Sequence, residues 1–309
     1  MLAILVAAQL AVAQPPVEIG PLRLTIHESR TAQVFHIVDQ LAEWDARTHR
    51  SYVRWAADSL QLDSLDRALL ERHALLRRAH GWNRGFEQTF YSSDELVLIL
   101  RRQKALPPPE AREEAAILEH FARRLAPMLD GAAPRLHAFA ERLPLVRDSL
   151  EAALAGVFRL SGVTRRIDVP VYLVPNPVSG TRGGRFAARS VILEVPVTPD
   201  AMISLEHELF HVLMAPHEKQ VRATAKAGAM DFDIFNEALA YAFAPGLTSV
   251  GDDFLQRQSD AAAVGSDARN IYKVALLLRP LLRDAIERDE PLSLFLSHAG
   301  ALLRGSALF

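Results

Sequence analysis

Residues 206–213 read EHELFHVL, and His207, Glu208 and His211 within them decide how the rest of the chain is read. At 3.6 residues per turn, four positions bring the two imidazoles back to one face of a helix, one turn apart. Both rings can then reach a single ion. Glu208 is displaced around the helix from His207, yet close enough to reach a water on that ion, as metal-assisted hydrolysis requires. Ile203, Leu205, Leu209, Phe210, Val212 and Leu213 make this helix apolar nearly all round, so its His and Glu side chains are buried groups that need partners.

Upstream, Thr198-Pro199-Asp200 reads as the helix start, with Thr198 as cap and Pro199 in the first turn. Before it, Val169, Val171 and Leu173 alternate with other residues and give way to Pro175, Pro177, Gly180, Gly183 and Gly184. Alternation followed by turn residues predicts a strand and a loop. The β-branched run SVILEV at 190–195 predicts a second strand paired with the first.

A catalytic zinc site takes three protein ligands and leaves a fourth position to water. Two residues compete for third ligand. Glu237 sits in a segment from Ile234 to Phe243 with almost no other polar group, where an unpaired buried carboxylate costs several kcal/mol. His217 completes the ligand spacing of HExxHxxGxxH with His207 and His211, but Met214 replaces the glycine that lets the chain turn sharply. In that alternative Met230 stands as the methionine of a following turn.

HELFH followed by NEALA resembles the gluzincin group of zinc metallopeptidases, which includes thermolysin and the zinc aminopeptidases; the resemblance covers about Val169 to Tyr241. It implies one Zn2+ per chain held by His207, His211 and Glu237, with Glu208 as general base and proton shuttle in peptide-bond hydrolysis. It also implies that Ser190 to Val195 is the sheet edge along which an extended peptide or protein substrate lies. Arg269 and Tyr272, three apart on one helix face, resemble an RxxY pair used by some gluzincins, which makes Tyr272 the donor to the tetrahedral intermediate. Tyr241, one turn beyond Glu237, is the competing donor. The other readings are a metzincin-like peptidase using His217 and a zincin-fold binding protein without turnover.

The remaining chain sets limits. With 309 residues, 35 Lys+Arg, 37 Asp+Glu and no block of like charge, nothing points to nucleic acid as a partner. The absence of cysteine leaves only His and carboxylates to hold a metal. Residues 1–13 are apolar and end Ala11-Val12-Ala13, which reads as a signal peptide and places the mature protein outside the cytoplasm, without a membrane span. From Thr31 to Gln103 apolar residues recur at helical spacing; helix resumes from Glu110 to Leu129, and Asp130-Gly131 with Pro134 predicts its stop. The expectation is a mainly helical α+β protein. It has a helical region at 14–133 and a zincin-like domain with a small sheet at 134–309.

Overall fold

The computed structural model describes residues 15–45, 50–80, 84–91, 96, 98–99, 106–177, 183–187, 190–196, 201–248, 251–263 and 265–306. Residues 1–13, read above as a signal peptide, and the expected helix start at Thr198 lie outside them. Five strands form one mixed sheet: β1 (Val17–Ile19), β2 (Leu22–His27), β3 (Ile167–Pro175), β4 (Gly184–Ala187) and β5 (Ser190–Val195), in the order β1-β2-β3-β5-β4. β2 and β5 run parallel to β3, with Leu24 opposite Val169 and Leu173 opposite Leu193. β1 and β4 are antiparallel additions at the two edges. The fold is α+β and mostly helical.

Successive side chains of a strand point to opposite faces, and here each face has its own core. Val169, Val171, Leu173, Val191 and Leu193 pack with helices α6 (Arg147–Ser161), α7 (Ala201–Met214), α9 (Phe232–Phe243), α11 (Asp267–Glu287) and α12 (Leu292–Gly305). Tyr172, Val174 and Ile192 pack the other way, against α1 (Arg30–Leu41), α2 (Arg50–Ser59), α3 (Ser64–His80), α4 (Arg84–Phe90) and the first half of α5 (Pro108–Leu145). Covered on both sides, β5 is buried along its whole length, which is why Val191, Ile192 and Leu193 are apolar on both faces, while the buried Glu194 is met by His36 at 3.0 Å and Asn176 at 2.7 Å. Two shorter helices, α8 (Glu218–Ala227) and α10 (Gly251–Ala261), complete the α7 side.

Three expectations change. The helical region is preceded by strands: Val17, Ile19, Leu22, Leu24 and Ile26 repeat at period two, apart from the Gly20-Pro21 turn, where Gly20 adopts φ +52°. The predicted helix stop at Asp130-Gly131 and Pro134 does not occur. α5 runs through Pro127, Pro134 and Pro144 because Leu125, Leu129, Ala132, Leu136, Phe139 and Leu143 form one buried stripe. An internal proline costs about 3 kcal/mol, whereas each buried Leu or Phe contributes roughly 1.5–3 kcal/mol. The boundary at 133/134 therefore falls inside a helix, and through β1 and β2 the N-terminal region shares the sheet with the rest. No helix among the described residues is long and apolar enough to cross a membrane.

Candidate metal centre

α7 lies against β4 and β5 on one side and α9 on another, so His207, Glu208 and His211 are all buried. α9 begins where Asp231 accepts hydrogen bonds from the Asp233 and Ile234 amides, at 2.8 and 3.2 Å, and this cap sets the rotation that turns Glu237 toward α7. The outcome is a convergence of three basic atoms. Nε2 of His207 and Nε2 of His211 are 3.3 Å apart, and the Glu237 carboxylate oxygens lie 3.4 Å from the first and 3.5 Å from the second. Ligands at about 2.0–2.1 Å from a tetrahedral ion stand about 3.3–3.4 Å from one another. The donor set and its spacing fit one face of such a tetrahedron.

The remaining ring nitrogens are also engaged. His207 Nδ1 donates to the Ala244 carbonyl at 3.2 Å, which orients the ring with Nε2 toward His211 and Glu237. The Asn236 side-chain amide lies 3.2 Å from His211 Nδ1 and orients the second ring. Protein surrounds Glu237, yet 42 % of its side chain is open to solvent, so the group is approachable from one side. Burial raises the Glu237 pKa, but the charges and hydrogen bonds of His211 and His207 outweigh it and hold the carboxyl below its usual range.

Glu208 responds in the opposite direction. Burial, with the nearby Glu237 charge, pushes its pKa up to about 8 against the pull of His207, Arg185 and a hydrogen bond from the Phe186 amide. A carboxyl tuned toward neutrality is suited to taking and returning a proton.

The Tyr241 ring stacks edge-on against His207 with centroids 4.5 Å apart, and against Tyr272 at 5.0 Å. The two phenols are hydrogen-bonded to each other, and both are pushed up, chiefly by burial. Tyr241 thus lies against a ring of the cluster, and Tyr272 lies behind it, in contact with Tyr241. Arg269 occupies the first turn of α11, its amide capped by Ser266 at 3.3 Å, and its buried Nε has no hydrogen-bond partner among the described residues.

His217 is not part of the cluster, which among the described residues comprises His207, His211 and Glu237. Met214 keeps right-handed helical angles, φ −82° and ψ −20°, so the chain passes directly into a 3-10 turn (Ala215–His217) and α8. It makes no sharp turn that would bring His217 back. Met230 is buried in the main core. The expected edge strand is also corrected: β5 is flanked by β3 and β4, and the edge beside α7 is β4.

Sequence reading passed over three features of the site: Asn236 as partner to His211, the Ala244 carbonyl, and β4. Only the Gly183-Gly184 pair hinted at the last. A Cβ on Gly184 would lie 2.8 Å from Glu208 Cγ, so the strand passes over the carboxylate at a distance open only to glycine.

Comparison of the chain with protein-family models, curated proteins and solved structures gives no match.

Proposed function

We propose that this chain is a zinc-dependent peptide hydrolase of gluzincin type. The observation that carries the reading is the convergence of His207, His211 and Glu237 on one point beside a buried Glu208. Two imidazoles and a carboxylate with an open side are the ligand set of a catalytic zinc site. A zinc ion there supplies Lewis acidity to a carbonyl and to water. Glu208 takes the proton of the attacking water and delivers it to the leaving amine. The Tyr272 hydroxyl, hydrogen-bonded to Tyr241, stabilises the developing oxyanion, and Ala244 and Asn236 hold the ligand rings. The outer side of β4, where among the described residues no further strand pairs, is the place for an extended peptide beside Glu208. The apolar segment 1–13 supports export of the mature protein, which N-terminal mass mapping tests.

The deciding experiment is incubation of purified protein, with and without chelator, with a mixed peptide library read by mass spectrometry. Products that appear with the metal-loaded protein and vanish with chelator support the reading. Stoichiometric zinc with no cleavage of any library member replaces it with a zinc-holding binding protein, and absence of stoichiometric zinc removes both.

A further inference from the structure

The helical layer on the far side of the sheet contributes no residue to the metal cluster, yet it contains a buried set of charges that reaches toward it. Asp39 on α1 forms an ion pair with Arg77, whose Nε lies 2.7 Å from Oδ1, and it lies 3.2 Å from His73 Nε2. Arg77 also donates to Glu87 on α4 at 2.6 Å. Arg185 of β4 enters this group from the sheet, with Nη1 3.7 Å from Asp39 Oδ2 and 3.5 Å from Glu87 Oε1.

The register of β4 explains why one residue joins both sides. Glu194 donates its amide to the Gly183 carbonyl at 3.0 Å, and Gly184, Arg185 and Phe186 face Leu193, Ile192 and Val191. In an antiparallel pair the next hydrogen-bonded residue is then Arg185, while the amides of Gly184 and Phe186 point outward. Arg185 shares the helical-layer face with Ile192, and its neighbours Gly184 and Phe186 face α7. The outward amide of Phe186 is on the side of the Glu208 carboxylate, which lies so close under β4 that a Cβ on Gly184 would stand 2.8 Å from Glu208 Cγ.

We propose that Arg185 is a positioning residue: seated between Asp39 and Glu87, it holds the edge strand β4 where the outward Phe186 amide is on the side of the Glu208 carboxylate. Among the described residues β4 has a strand partner on one side only, and it is four residues long, so without such a pin its outward amides would be free to move away from the carboxylate. The N-terminal helices are thereby the support on which the general base is aligned. This last role rests on the hydrolase reading; the geometry of the pin does not.

Residue-resolved amide exchange on the full chain tests the pin without any need for activity. Arg185→Gln is expected to speed exchange at Phe186 by about tenfold, leaving the amides of β3 and α7 unchanged. Arg185→Lys, which keeps the charge but loses the planar fork, should fall between wild type and Gln, and serves alone if the Gln variant does not fold. Unchanged Phe186 exchange in a folded variant overturns the proposal, as does acceleration spread evenly over the sheet. In the kinetic arm, kcat falls while KM and zinc content hold. A wild type that cleaves nothing defeats the hydrolase reading, with the exchange result still deciding the pin.

Discussion

His211 Nε2 faces His207 Nε2 at 3.3 Å across one turn of α7. Two nitrogens so placed must share one proton, oppose two lone pairs, or bind a common cation, and Glu237 adds a carboxylate to the same point. A shared cation would satisfy all three groups at once.

Metal analysis of purified variants should accordingly find about one zinc per chain in wild type. Glu237→Ala and His211→Ala should lose it, because two ligands remain. His217→Ala should keep it, since that ring lies outside the cluster. Retention in Glu237→Ala with loss in His217→Ala would exchange the ligand sets.

Glu208→Gln should retain zinc and lose peptide cleavage by about 10²–10⁴-fold, the usual worth of general acid–base catalysis. The amide keeps the shape of the carboxylate but cannot accept the proton. Undiminished turnover at full zinc occupancy would remove Glu208 from its role.

Gly184→Ala should separate alignment from metal binding. The backbone there does not require glycine, but the added Cβ would meet Glu208 Cγ at 2.8 Å. Overpacking of this kind costs about 1–3 kcal/mol of stability, and a displacement near 1 Å at a catalytic group costs about 10²-fold in rate. Denaturant unfolding, zinc content and kcat together check it. Zinc should be unchanged.

The buried charges of the helical layer predict a pH dependence. Burial lowers the His73 pKa, but Glu114 and Asp39 outweigh it and raise the group from 6.5 to about 9. A pKa raised on folding gives stability that is complete below about 6.5 and is lost as pH rises through about 9. Urea unfolding at pH 6 and at pH 9.5 should show wild type losing on the order of 3 kcal/mol. His73→Gln should show a flatter profile over the same window.

The pairing of His207 and His211 was legible in the sequence because it is local: four residues fix two rings on one helix face whatever surrounds them. Glu237 stood out as a lone carboxylate in an apolar segment, but its choice over His217 needed the packing of α9 on α7 and the absence of a turn at Met214. The stop expected at Pro134 failed because a local breaker weighs less than a long buried stripe, and burial is decided by what lies opposite. Asp39 gave no signal at all. It sits on a helix whose residues from Ala32 to Leu41 are buried, among Gln33, His36 and Gln40, and its partners Arg77 and Arg185 lie 38 and 146 positions away. By itself the sequence determined the residue chemistry and the short-range geometry. The tertiary structure alone decided which distant charges meet and which strand forms the sheet edge over Glu208, because pairing across the sheet depends on register and layer rather than on any local spacing.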